Sequence, residues 1–154
     1  MAKLSCQFTR VFSVAAMLLL VDVASFAQGA DSKFEATLVW GTNESKPPAG
    51  KDYKPIEADI RNKLRDLPLK WTNWFEVRRR SFRVPPSDSR EVAVSDKCQL
   101  DVKTVGNEAV EVSLIGKGRE VVKRKQTLAK GEMLVLGGNA PNSTAWLVIL
   151  KRTD

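Results

Sequence analysis

The chain has 154 residues, a formal net charge of +7 and no histidine, and 43% of its residues are hydrophobic. Without histidine it lacks Ser-His-Asp and Cys-His catalytic machinery, histidine-ligated zinc and the commonest general base near neutral pH. Its two cysteines are too few for a four-cysteine zinc site. The positive balance favours association with anionic surfaces or polymers.

Residues 1–27 have the pattern of a secretory signal peptide. Lys3 and Arg10 make the start basic, Val11–Val21 is a short apolar block, and Ala27 ends a small-x-small cleavage site. An uncleaved anchor is the alternative, but the block is shorter than the roughly 20 residues that cross a bilayer. We therefore expect a secreted or periplasmic protein with no transmembrane span after leader cleavage.

Residues 28–154 are expected to form a single β-rich domain, long enough to bury a core without disulfides. After cleavage Cys98 is the one remaining cysteine, so no internal disulfide can form. Cys98 alternates with apolar residues and is predicted to be a small buried hydrophobe. A reactive or intermolecularly paired thiol is the alternative.

The first strand is predicted at Phe34–Trp40, where side chains alternate in polarity, and residues 41–54 form a loop rich in Gly, Pro, Asn and Ser. A helix is predicted over Pro55–Leu67, because proline suits the first helical turn and an apolar stripe follows. The stripe consists of Ile56, Ile60, Leu64 and Leu67. We expect the stripe to pack on the β-domain; a partner-binding helix is the alternative.

Residues 70–84 combine aromatic side chains with the densest positive charge of the chain. Phe75 and Val77 share one parity along an extended chain, whereas Phe82 and Val84 share the other. A bulge or turn near Arg78–Ser81 would bring all four to the same side.

The C-terminal third is a series of short strands separated by glycine-bearing turns. Apolar and polar residues alternate over Val110–Leu114, and Ala145–Leu150 is apolar at every position. The alternation predicts one buried face, and the unbroken run predicts a strand covered on both faces. The fold class is therefore mainly β: an antiparallel β-sandwich or partly open barrel with one short helix, preceded by a signal peptide.

Three stretches resemble a group of small exported bacterial proteins with no known activity. They are Leu38–Asn43, Lys70–Val77 and Leu136–Gly138, and the resemblance spans roughly residues 38–150. In the middle stretch this chain has Trp74 where the group is expected to have a tyrosine. The shared residues are aromatic anchors and glycine turns, so the resemblance implies export and a β-domain without implying an activity.

The candidate binding site is basic and aromatic. Its predicted ligand-binding residues are Trp71, Trp74, Arg78, Arg80, Lys123, Arg124 and Lys125. Charge and stacking together could hold an anionic polymer. The alternative places the aromatic rings in the core and leaves the arginines as a solvated or edge-protecting face.

Glu76 is the acid that merits a test for catalysis, because it follows two aromatic residues and could be partly desolvated. Glycoside hydrolysis needs only two carboxylates. The competing interpretation is that Glu76 faces solvent or pairs with a nearby arginine. We predict that the protein is not an enzyme and has no cofactor or metal.

The expected function is a non-catalytic exported β-domain, a structural or interaction module of the cell envelope or extracellular space. The alternative is binding of an anionic polymer or surface through the basic-aromatic patch. Export disfavours nucleic acid and favours anionic polysaccharide, lipid head groups or an envelope protein as partners.

Overall fold

The computed structural model describes residues 29–106, 108–140 and 142–154, which form two antiparallel sheets and one short helix. The predicted mainly β fold is confirmed, and of the two predicted architectures the chain adopts the sandwich. The predicted signal peptide, residues 1–27, lies outside the described residues. Within those ranges, no helix is long and apolar enough to cross a bilayer.

The two sheets differ in how they use chain order. The strands are β1 (Ser32–Thr42), β2 (Lys54–Pro55), β3 (Asn73–Val84), β4 (Ser89–Ser95), β5 (Cys98–Thr104), β6 (Ala109–Gly116), β7 (Arg119–Thr127), β8 (Met133–Asn139) and β9 (Ala145–Arg152), and the helix α1 is Ala58–Arg65. Sheet A has the order β2-β3-β1-β9-β8, whereas sheet B is a meander, β4-β5-β6-β7. The outermost strands of sheet A are β2 and β8. Because β2 has only two residues, most of β3 is also an edge.

The main core lies between the two sheets. Its fully buried members include Phe34 from sheet A and Leu100, Val110 and Val112 from sheet B. The predicted alternation in β6 is confirmed, because Val110, Val112 and Leu114 all join this core. We call the side of sheet A that meets sheet B the core face.

Strand β9 is covered on both sides, as its unbroken apolar run predicted. Val148 and Leu150 belong to the main core, whereas Leu147 and Ile149 belong to a second cluster under α1. The alternating side chains of the strand therefore serve two separate apolar layers. We call the side of sheet A beneath α1 the helix face.

The helix is shorter than the predicted Pro55–Leu67, because Pro55 pairs with β3 as part of β2. Its apolar stripe packs on the helix face, as expected: Ile56, Ile60 and Leu64 are buried there and Leu67 is partly buried. Two acids at its start, Glu57 and Asp59, form ion pairs with Arg79 and Lys151 of sheet A. These pairs tie the helix to β3 and β9.

Candidate functional site: the basic and aromatic residues of strands β3 and β7

Strand β3 changes its facing pattern at Val77. Two consecutive residues of β1 pair with Arg78 and Glu76, so Val77 is the extra residue of a β-bulge. The bulge allows Val77 and Phe82, which have opposite parity, to pack against the same core. A bulge was predicted near Arg78–Ser81, and it lies at the residue directly before that range. The parity pattern cannot distinguish neighbouring positions for the insertion.

The tryptophans of the predicted patch are structural anchors. Trp71 is 7% exposed, and its Nε1–H donates to the carbonyl of Ser143 at 2.8 Å. Trp74 is half-buried and meets Trp71 edge to face, with ring centroids 6.1 Å apart. The Trp74 ring lies over Gly41, where an added Cβ would come within 2.3 Å of it. Neither ring is therefore freely presented for stacking.

A row of paired residues crosses sheet A where the three stretches Leu38–Asn43, Lys70–Val77 and Leu136–Gly138 meet. Phe75, Trp40, Trp146 and Gly138 are successive cross-strand partners on β3, β1, β9 and β8. Trp40 contacts Phe75 and Tyr53, each at a centroid distance of 6.0 Å. Because each of the three stretches supplies a residue of this row, together they build one end of the sheet.

The two arginines of the patch lie on the opposite side of β3 from Trp74. Arg78 and Arg80 pair with Leu38 and Ala36, which belong to the core face. Directly paired residues share a face, so both arginines emerge at the core-face border of this edge and are exposed. In the described ranges no acidic side chain forms an ion pair with Arg78 or Arg80.

Arg79, between them, is the centre of a carboxylate cluster on the helix face. It contacts Glu76 at 2.5 Å, Glu57 at 2.8 Å and Glu35 at 3.0 Å. The hydrogen bonds from Arg79 to Glu76 contribute most to raising the pKa of Arg79 above its usual value. Glu76, the acid chosen for a catalytic test, is thus paired with an arginine, which was the competing interpretation.

The second basic cluster lies at the far side of the molecule. Lys123, Arg124 and Lys125 are exposed on β7, the edge of sheet B opposite β4, whereas β3 lies beside β4. Lys123 forms a 2.8 Å ion pair with Glu111, and this hydrogen bond lowers the pKa of the Glu111 carboxyl. The predicted residues therefore fall into three separate groups, which are the two tryptophans, the two β3 arginines and the β7 basic residues, and the β7 charge is partly neutralised.

Cys98 is half-buried and packs against the main core, which fits the predicted small hydrophobe in part. Burial raises the pKa of its thiol and so disfavours the reactive thiolate. In the part of the chain that the structure describes, no group of three or more Cys, Asp and Glu side chains could hold a metal ion.

Two clefts open beside α1 and β8. The larger, about 650 Å³, is lined mainly by polar residues, including Asp59, Lys63 and Glu132. The smaller, about 390 Å³, has an apolar lining that includes Leu67, Leu69, Met133, Val135 and Leu147. Sequence reasoning missed this second cleft, although the unbroken apolar segment of β8 was visible in the pattern.

No family model matches the chain, and no curated protein or solved structure matches it either. Fold and side-chain geometry are therefore the basis for assigning a role. Together they define an antiparallel β-sandwich whose two sheet A edges differ in charge.

Proposed function

We propose that this protein is a non-catalytic β-domain exported to the cell envelope or extracellular space, where it acts as a structural or interaction module. The pairing of Glu76 supports this most directly. Its carboxylate is engaged by Arg79 at 2.5 Å in a cluster with Glu35 and Glu57, so it is held in a structural ion pair rather than presented to a substrate. The aromatic residues around Glu76 serve packing.

Export is tested by expressing the full chain in a bacterial host and sequencing the N-terminus of the product. The protein is expected outside the cytoplasm and beginning at Gln28. The matched control, Leu18→Asp, interrupts the apolar block and is expected to leave the precursor in the cytoplasm. Wild-type precursor that stays intact in the cytoplasm would contradict the proposal.

The non-catalytic part is tested with Glu76→Gln, which keeps the shape of the side chain and removes its charge. Wild type and variant are incubated with a panel of polysaccharides, and released reducing ends are measured. No turnover is expected from either. Turnover by the wild type that Glu76→Gln abolishes would make the protein a carboxylate-dependent hydrolase.

A second candidate role, binding of an anionic polymer, is favoured by the exposure of Arg78 and Arg80 and their lack of described acidic partners. Residues two apart on a strand are separated by about 7 Å. The two guanidinium groups therefore form a short positive row along the β3 edge, suited to a chain of closely spaced anionic groups. The tryptophans have no part in this version of the site.

The test measures binding of a sulfated polysaccharide and of anionic-lipid vesicles across a salt series. Arg78→Glu with Arg80→Glu is expected to weaken binding about tenfold, and wild-type affinity is expected to fall steeply with salt. The control, Arg124→Glu with Lys125→Glu, makes the same change in net charge at the other edge. Equal losses in both double variants would reduce the effect to net charge and remove the site.

A further inference from the structure

The β8 edge of sheet A lacks two of the features that usually keep sheet edges from pairing, namely charge and proline. Its residues Met133–Gly138 include no charged side chain and no proline. Natural edges are generally protected by charge, proline, a bulge or a covering element. In the described ranges β8 pairs with β9 alone, so its other side carries open backbone groups.

Hydrogen bonds at the two ends of the β8–β9 ladder identify those open groups. Ala140 N–H donates to Thr144 at 2.8 Å, and Arg152 N–H donates to Glu132 at 3.1 Å. Hydrogen-bonded and non-bonded pairs alternate along an antiparallel ladder. Even-numbered residues of β8 therefore bond to β9, and the odd-numbered residues, Val135 among them, direct their N–H and C=O outward.

The smaller cleft runs along this open edge. Its lining from the helix face includes Met133, Val135 and Leu147, and Leu67 and Leu69 extend the apolar wall. Leu134 and Leu136 line it from the core face, and Lys63 and Gln126 are its polar members. A strand added to β8 would place alternate side chains on the helix face of the sheet. The cleft therefore specifies an incoming strand with apolar residues at alternate positions.

The chain's own β8 fits this description. The β8 strands of two copies can pair antiparallel, with a two-fold axis at Val135. Val135 then lies opposite its equivalent, and Met133 lies opposite Gly137, so a long flexible side chain faces a residue without one. Glu132, the nearest charge, faces Gly138 rather than another acid. The edge is self-complementary, as a two-fold interface requires.

We propose that β8 pairs with β8 of a second copy of this chain, joining two five-stranded sheets into one continuous sheet of ten strands. The backbone groups of Met133, Val135 and Gly137 form the new ladder, and their side chains close the apolar cleft of each copy. This inference does not depend on the arginines of β3 or on the proposed anion binding.

The test is the mass of the purified protein in solution, measured by sedimentation over a concentration series up to about 100 μM. Wild type is expected to reach twice the monomer mass. Val135→Pro removes the outward N–H without removing a bond to β9, and is expected to be monomeric. Val135→Thr keeps that N–H and is expected to dimerise.

Met133→Lys provides a second test that does not depend on proline being accommodated. It adds a charge to the edge and is expected to be monomeric. The control is Val121→Lys, at a 60% exposed position on β7, which is expected to leave the dimer intact. Circular dichroism confirms that each variant is folded.

Two outcomes overturn the proposal. A wild type that stays monomeric throughout the series excludes self-pairing, and binding of an extended peptide with alternating valines by that monomer would identify a foreign strand as the occupant. A dimer that persists in folded Val135→Pro and Met133→Lys would place the interface elsewhere.

Discussion

The two edges of sheet A differ in charge and in their capacity to pair with a further strand. At the β3 edge, Arg78 and Arg80 lie exposed, and the short strand β2 pairs with residues 75 and 76. At the β8 edge, Met133–Gly138 is uncharged and borders an apolar cleft. Charge makes the first edge unfavourable for strand pairing but attractive to anions, whereas the second retains the chemistry of a pairing strand.

The largest effect is expected from Trp74→Ala, which tests whether the β3 side depends on an aromatic anchor. Removing the ring leaves a gap above Gly41 and is expected to lower the free energy of unfolding by about 3 kcal/mol. In the wild type Gly41→Ala is also destabilising, because the new Cβ meets the ring. Urea unfolding measures both changes.

The double variant, Trp74→Ala with Gly41→Ala, sharpens this test. Its stability loss is expected to be smaller than the sum of the single losses, because the ring that obstructs the methyl group is gone. Additive losses would show that Gly41 and Trp74 are not coupled through this contact.

An intermediate effect is expected from Arg79→Gln. Three carboxylates would then lose the cation that they share, and the free energy of unfolding is expected to fall by about 2 kcal/mol near neutral pH. Chemical denaturation of the wild type and the variant measures this loss.

Arg80→Gln is the matched control. Arg80 is the next residue along β3, but its side chain lies exposed on the opposite side of the strand from Arg79. It is expected to change stability by less than about 0.5 kcal/mol. Equal losses for Arg79→Gln and Arg80→Gln would contradict the distinction between a structural arginine and a free one.

The smallest effect is expected from Asp59→Asn, which breaks the ion pair between the helix and Lys151 on β9. The hydrogen bond from Lys151 lowers the pKa of Asp59 below its usual 3.8. A lowered folded-state pKa stabilises the fold above the unfolded-state pKa, and this contribution disappears as pH falls through the folded value. The variant is expected to lose about 0.5 kcal/mol at neutral pH.

The same comparison at acidic pH provides the check. Wild type and Asp59→Asn are expected to converge in stability once Asp59 is protonated, whereas Asp52→Asn in the exposed loop is expected to match the wild type throughout. A difference for Asp59→Asn that stays constant with pH would assign the effect to something other than the ion pair.

The sequence was sufficient for features that depend on local periodicity. The alternation in β6 and the unbroken run of β9 correctly predicted one-sided and two-sided burial. The stripe of α1 correctly predicted the face that packs on the sheet. Each of these signals is contained within a short stretch of residues, and burial of apolar area selects the same arrangement in the fold.

The candidate site was harder to predict because it depends on long-range pairing. A one-residue bulge at Val77 reverses which side chains share a face, so Trp74 and Arg78 separate although they are close in sequence. The strand order also places β3 and β7 at different edges, which no local pattern records. The open β8 edge follows from the same topology.

Amide hydrogen exchange along β8 is the most direct measurement of the contrast between the two edges. In dilute solution the Val135 amide is expected to exchange rapidly, while the amides of Leu134 and Leu136, bonded to β9, exchange slowly. At high concentration the Val135 amide is expected to become protected as the second copy pairs. A Val135 amide whose exchange rate does not change with concentration would contradict the account.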